Sequence, residues 1–257
     1  MSSESIIEII ESLDSNKVEE VSFGINNLDY LLGQLLPEIV SHYETSTTLK
    51  LQSNRVSNTS QQLNKSSFIS LQDNFQFNLA SHLINYYKII NEDNSKIDVA
   101  TALLCNRLLQ GLLIIHPNSR MLFHRPSNMK LILQLLETSD ITFSISLIST
   151  LIHILLKDFK NFRVFESCNG CSVIIKRFKL SSFDINKKQQ TTTKHKVDTQ
   201  QDLNFKIIEF LLFYFIDETK INPQDYKTLD QKSNFFRIDF PDIDNLIESL
   251  NELNDLQ

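Results

Sequence analysis

The chain is poor in the residues that several large function classes depend on. Of 257 residues only four are glycine and none is tryptophan. That argues against Gly-rich nucleotide folds and most all-β designs. Cysteine is scarce and odd in number, three in all, which fits a reduced cytosolic or nuclear protein better than a disulfide scaffold. No apolar run reaches the ~18 residues a membrane span requires. The opening MSSESIIEIIESLDS carries acids and no basic segment, so it is expected to be neither a secretory signal nor a transit peptide.

What the chain has is charge segregation. The net charge of −6 conceals three blocks. Residues 1–44 hold nine acids and one base, 45–216 twelve acids and twenty bases, and 217–257 ten acids and four bases. The plain reading is a set of solvated helix faces. The sharper one is a basic middle that attracts an acidic partner segment or the chain's own tail. Nucleic acid fits less well, because the lysines are scattered and no stacking-aromatic motif accompanies them.

The second positive feature is an internal echo. Residues 112–136 (LLIIHPNSRMLFHRPSNMKLILQLL) and 152–178 (IHILLKDFKNFRVFESCNGCSVIIKRF) align so that Asn118 matches Asn161 and Arg120 matches Arg163; with one residue dropped, Phe123 matches Phe165. The arginines lie 43 residues apart, inside the ~40–47 residue period of armadillo and HEAT arrays. Each copy reads as an apolar helix, a polar turn carrying N-x-R, and a second apolar helix. Such units stack because none buries its apolar face alone, leaving an extended surface suited to binding. The expected fold is all-α, an armadillo/HEAT-like α-α superhelix of stacked helical repeats.

Helical periodicity supports this along the chain. Residues 5–14 and 25–40 read as helices, the second kinked or ended by Pro37. Residues 45–70 are polar and read as a disordered insertion. Phe75, Leu79, Leu83, Tyr86 and Ile90 then mark one stripe. A helix follows up to His116-Pro117; Asn128 is expected to cap the next and Asp140 the one at 141–157. Gly170 opens a helix over 171–180. Residues 184–204 read as a second polar insertion, 203–216 as a buried central helix, and the end as an acidic amphipathic helix with Ile243, Leu246 and Ile247 in register. The expected organisation is acidic N-terminal helices (1–44), the insertion, an armadillo-like domain (71–240) and an acidic C-terminal segment (241–257).

Chemistry has few places to sit. Cys168-Asn-Gly-Cys171 lacks the second Cys/His pair of a zinc site and the βαβ context of a redox pair. Cys171 and Arg177 satisfy C-x5-R, the spacing of thiol phosphatases. The loop between them, Ser-Val-Ile-Ile-Lys, is too stiff to wrap a phosphate with backbone N–H groups. The six histidines show no ligand spacing; His116 reads as a helix-end residue and His153 as a satisfied core histidine. No catalytic residue, cofactor or metal site is expected. Asn118, Arg120, Asn161 and Arg163 are read as structural, with the amides satisfying backbone groups and the arginines bonding carbonyls of the neighbouring repeat. The exposed bases Lys157, Lys160, Lys176 and Lys179 are the better candidates for partner contact.

Four stretches carry a family resemblance: LQDNFQFNLASHLI (71–84), LLQGLLIIHPNSRMLFHRPSNMKLILQLLE (108–137), NFRVFESCNGCSVIIKRFK (161–179) and FKIIEFLLFYFIDET (205–219). Together they resemble the fungal cell division control protein 14 family, a septation initiation network component, and not the phosphatase that shares the name. Cys171 falls where that family tends to have leucine, which fits a core position. The resemblance implies a non-catalytic scaffold or activator that binds the network's germinal-centre-type protein kinase. It further implies action in the cytoplasm and at the spindle pole body in septum formation and cytokinesis, without nucleic acid, membrane or small-molecule substrate. The competing readings are a general armadillo-type adaptor for acidic peptides and a thiol phosphatase built on Cys171 and Arg177.

Overall fold

A computed structural model of the chain describes residues 3–45, 65–93, 98–179, 199–218 and 225–255. Among them every regular element is helical and no strand occurs. The residues divide into two compact units, Met1–Ser119 and Arg120–Gln257.

The first unit contains α1 (Ser3–Leu13), α2 (Val18–Thr45), α3 (Lys65–Gln72), α4 (Leu79–Glu92) and α5 (Val99–Ile115). α1 and α2 pack as a hairpin. Ile6, Ile9 and Leu13 on one helix meet a core that includes Val21, Ile25, Leu28 and Leu31 on the other, all buried. The backbones approach closely at Gly24, where a Cβ would meet Ser12 Cβ at 2.9 Å. Asn85 of α4 donates to the carbonyls of Leu13 and Ser15 at 2.9 and 3.2 Å, closing the free end of α1. α4 and α5 pack on one another, and Tyr87 donates to Asn106 at 2.6 Å inside that layer.

The second unit contains α6 (Pro126–Thr138), α7 (Ile141–Leu155), α8 (Phe159–Ser167), α9 (Gly170–Ile175), α10 (Gln200–Tyr214), α11 (Leu229–Arg237) and α12 (Ile243–Asp255). α10 lies along α7, α8 and α9 form a hairpin, and α11 joins α9 to α12. The core is rich in aromatics: Phe165 and Phe210 have ring centroids 5.5 Å apart, Phe162 and Tyr214 5.7 Å, and Tyr214 and Phe236 5.5 Å. Such pairs contribute about 0.5–1.5 kcal/mol each beyond their buried area.

Several local expectations need correction. α2 continues past Pro37 to Thr45 instead of ending there; its 28 residues are anchored by the buried stripe of its first half. Phe75 does not belong to the α4 stripe: it sits in a short 3-10 turn, 76 % exposed, and Asn78 caps α4 by accepting from Ser81 N–H. The helix after His116 begins at Pro126 and not at residue 129. Proline at the first position suits an N-terminus, and Asn128 lies inside the helix, donating to the Leu122 carbonyl at 2.8 Å. Asp140 does cap α7, which ends at Leu155 instead of 157. α9 stops at Ile175 instead of continuing to 180.

The insertion expected at 45–70 falls outside the described residues between 46 and 64. Its end is α3, which buries Phe68. The insertion expected at 184–204 falls outside them up to residue 198, and α10 then starts at Gln200 behind a Thr199–Asp202 capping box. α10 is not buried all round, since Phe205, Leu212 and nearby Ile216 are exposed.

Candidate functional site

The echo is helical in both copies: Asn118 and Arg120 lie in a 3-10 helix, Pro117–His124, and Asn161 and Arg163 lie in α8. The expected polar turn is therefore a short helix each time. The matched residues do different work. Asn161 is fully buried and its amide donates to the carbonyls of Arg120 and Ile154, both at 2.9 Å. Arg120, 9 % exposed, donates through Nε to the His153 carbonyl at 3.1 Å. Arg120 and Asn161 thus each bond a carbonyl near the end of α7. Asn118 is exposed and instead lies near Asp73, where it adds slightly to the stronger pull of His116 that holds the Asp73 carboxyl below its ordinary value.

Arg163 departs further, because its partners are carboxylates rather than carbonyls. Nη1 donates to both oxygens of Glu166 at 2.8 Å, and Nη2 donates to Glu218. Glu218 also accepts from the Lys227 N–H at 3.1 Å. Lys232 Nζ stands 2.8 Å from its other oxygen, an ion pair outside hydrogen-bond alignment. Lys232 donates to the carbonyls of Tyr214 and Ile216 at 2.8 and 2.9 Å, and Tyr214 Oη donates to Glu166 at 2.8 Å. Glu218 and Lys232 are each 1 % exposed and Glu166 6 %. Glu166 and Glu218 thus meet Arg163 and Lys232 inside the second unit, with Lys227 Nζ 3.9 Å from Glu166 at the edge, tying α8 to α11 and to the chain after α10. Burial pushes the Glu166 carboxyl up, against the pull of Tyr214, Arg163 and Lys227, and pushes the Lys232 ammonium down. Sequence reasoning missed this cluster, because nothing local marks Glu218 or Lys232 as interior.

The four lysines occupy two sites. Lys157 and Lys160 flank Asp158, the N-cap of α8, and both are exposed. Lys157 holds φ 57°, a left-handed conformation costing a non-glycine residue roughly 1–2 kcal/mol. Asp158 also lies 3.0 and 3.1 Å from His124 Nε2, so this corner is fixed from two sides. Lys176 caps the end of α9 and Lys179 lies just beyond it. Lys176 lies 3.5 Å from Asp239, in the link between α11 and α12. The backbone of Lys179 is gripped by Asn204: its N–H donates to Oδ1 at 3.1 Å and its carbonyl accepts from Nδ2 at 2.7 Å. Gln200 holds the Arg177 carbonyl at 2.9 Å. Amides one turn apart on α10 therefore hold Arg177 and Lys179, in the turn that leaves α9.

The reactive readings fail on geometry. Cys171 is 1 % exposed, and burial raises its thiol far above the ordinary range. Arg177 points to the Ser139 carbonyl at 2.7 Å and Ser144 Oγ at 2.6 Å, so it is committed to the α6–α7 corner. Asn169 takes the left-handed turn (φ 62°) and Gly170 lies against the Phe165 ring, which makes C-N-G-C a packed corner between α8 and α9. A Ser-His-Asp constellation does exist: His116 Nδ1 lies 2.8 Å from Ser119 Oγ, and Nε2 lies 2.9 Å from Asp73 Oδ1. A nucleophile must reach substrate, and Ser119 is 3 % exposed with its oxygen also accepting from Asn78 at 2.9 Å. This triad locks the end of α5. No group of three metal-ligating side chains occurs among the described residues, and no single helix there is long and apolar enough to cross a membrane.

Comparison with known proteins agrees with the resemblance read from the sequence. The family model described as cell division control protein 14, SIN component, matches residues 3–227. Over 112 residues the chain is 31 % identical to the cell division control protein 14 of Schizosaccharomyces pombe (strain 972 / ATCC 24843), a match covering 43 % of this chain and 40 % of that protein. No solved structure matches. The family match takes in both N-x-R segments and the chain through Lys227, and on that span this chain belongs to the cell division control protein 14 family of septation initiation network components.

Proposed function

We propose that this chain is a non-catalytic scaffold or activator that binds a germinal-centre-type protein kinase of the septation initiation network and promotes septum formation and cytokinesis. The observation that carries the proposal is family membership across residues 3–227. The buried state of Cys171 and the commitment of Arg177 elsewhere support it against the phosphatase reading. The protein acts, in this proposal, in the cytoplasm and at the spindle pole body. Its helices form an armadillo/HEAT-like stack, for which the twice-repeated order of long helix, short helix and further helix is the support (α5, Pro117–His124, α6; then α7, α8, α9).

The kinase contacts fall on Lys157, Lys160, Lys176 and Lys179. Lys157 and Lys160 are the stronger pair. They sit on a fixed corner, and Lys157 takes a positive φ that glycine would adopt without strain, a local cost of the kind that clusters at functional sites. The adaptor reading is weaker, because the amide pair Gln200 and Asn204, the grip an adaptor would offer a peptide, holds residues 177–179 of this chain.

Affinity purification of the tagged chain from dividing cells tests the proposal: a germinal-centre-type kinase co-purifies, and Lys157→Glu/Lys160→Glu reduces its recovery. Stability changes little, as for most surface substitutions, by about 0.5 kcal/mol or less per site. A chain that stays alone at every cell-cycle stage refutes kinase binding. Undiminished recovery with the double variant removes these lysines from the interface.

A further inference from the structure

The hairpin of α1 and α2 turns an aromatic stripe outward. α2 buries Val21, Ile25, Leu28 and Leu31, while Phe23 is 62 % exposed and Tyr30 68 %. Seven residues are two helical turns less about 20°, so both rings lie on one side, roughly 10 Å apart along the axis. Asn26 and Asn27 lie between them, and Glu19 and Glu20 precede Phe23 by one turn. One turn beyond Tyr30 is Gly33, with nothing within 4 Å of the place of its Cβ. Single exposed apolar residues are ordinary. Two large aromatics in register on one helix, separated by the small polar side chains Asn26 and Asn27, offer a pair of anchors for a partner.

The electrostatics select the occupant. Residues 1–44 carry nine acids and one base. That base, Lys17, is already held by Glu20 at 2.7 Å, and Arg107 of α5 lies 3.4 Å from Asp29. A second copy of the hairpin would set these acids against their own kind, which costs affinity. Anionic lipid and nucleic acid are repelled for the same reason. A helix with apolar side chains at three- and four-residue spacing, flanked by lysine or arginine, matches both the two-turn interval and the field.

We propose that the Phe23–Tyr30 face of α2 docks a basic amphipathic helix from a partner protein, its apolar side chains seated between the two rings and its bases toward the acidic start of α2, Glu19 foremost. This surface belongs to the N-terminal unit and does not depend on the kinase reading, whose lysines belong to the C-terminal one.

The test uses the full chain and two labelled synthetic 18-residue amphipathic helices with the same leucine stripe, one flanked by lysines and one by glutamates. Fluorescence anisotropy at 50 and 300 mM salt reads binding, and circular dichroism checks that variants keep their helix. The lysine peptide binds at least tenfold more tightly than the glutamate peptide, and more weakly at high salt. Phe23→Ala/Tyr30→Ala lowers its affinity at least tenfold with helicity unchanged. Equal affinity for both peptides, no binding of either, or full binding by the double variant overturns the proposal. So does self-association, seen by sedimentation, that the double variant abolishes, since the face would then belong to a second copy.

Discussion

Replacing Glu218 by alanine should be among the most damaging single changes in the second unit. The side chain is 1 % exposed and serves three groups: the Arg163 guanidinium, the Lys227 N–H and, at 2.8 Å, the Lys232 ammonium. Removing one member of a buried ion cluster leaves its counter-charges uncompensated, at a cost of about 3–5 kcal/mol. Here Arg163 keeps Glu166, and Lys232 keeps two carbonyls and the faces of Tyr214 and Phe162, with Nζ 5.2 and 5.6 Å from their centroids. The lower end, about 3 kcal/mol, is therefore expected. For a chain of this size that lowers Tm by roughly 6–12 °C. Thermal unfolding followed by circular dichroism measures it. Adding Lys232→Met to Glu218→Ala should recover about 1–3 kcal/mol, because the uncompensated ammonium is what the single variant suffers from. A single variant within about 1 kcal/mol of wild type, or a double variant whose losses simply add, refutes the view of the cluster as a tie between α8 and α11.

Native alkylation with iodoacetamide near pH 8 should modify Cys168 first. Cys105 and Cys171 are buried and their thiols are pushed up, Cys105 to about 12; peptide mass spectrometry reads the order. Gly170→Ala puts a Cβ 2.2 Å from the Phe165 ring and should cost about 1–3 kcal/mol. Gly111→Ala in α5 meets open space and should stabilise by up to about 1 kcal/mol in the same unfolding assay. Because Glu166 holds its proton more tightly folded than unfolded, wild-type stability should gain on Glu166→Gln as pH falls toward the ordinary carboxyl value of 4.5; denaturant unfolding from pH 8 to 4.5 reads the difference. Asn161→Ala abandons two buried carbonyls and should cost about 2–4 kcal/mol. Asn118→Ala, at an exposed position, should stay within about 0.5 kcal/mol in parallel melts.

Features written in neighbouring residues are legible in the sequence alone. His116-Pro117 ends α5 because proline disfavours the helical state of the residue before it. Asp140 caps α7 because a short carboxylate reaches the third N–H, that of Phe143, at 2.8 Å. Expectations fail where two local signals compete. Pro126 starts α6 before Asn128 has a chance to cap it, and the buried first half of α2 carries that helix past Pro37. What is not legible is set by distance along the chain. Arg163 meets Glu218 across 55 residues, and Lys232 reaches Tyr214 across 18. Charge and hydropathy place both Glu218 and Lys232 on the surface. The Thr228–Gln231 capping box locates α11, but not its buried lysine. The four lysines read as candidate contact residues are exposed; of the N-x-R residues read as structural, Arg120 and Asn161 are buried, Arg163 is partly buried and Asn118 is exposed.

The different fates of the matched N-x-R residues bear on how a repeat can be read as a binding surface. Had both copies presented the motif to a partner, each asparagine and arginine would stand in similar solvent. Instead Asn161 of the second copy grips the backbone of Arg120 of the first at 2.9 Å, while Arg120 reaches the His153 carbonyl next to the Ile154 carbonyl that Asn161 also holds. The two motifs meet around the end of α7, so the echo is spent on joining its own copies. Arg163, with no following copy of the motif to grip, turns to the Glu166–Glu218 cluster that holds the C-terminal helices. Three of the four motif residues thus serve interior architecture, and in the proposals made above partner recognition falls to residues the motif does not contain: the lysines near the corners of α8 and α9 and the aromatic stripe of α2. A substitution that abolishes partner binding without unfolding the chain should therefore be sought at Lys157, Lys160, Phe23 or Tyr30, and not in N-x-R.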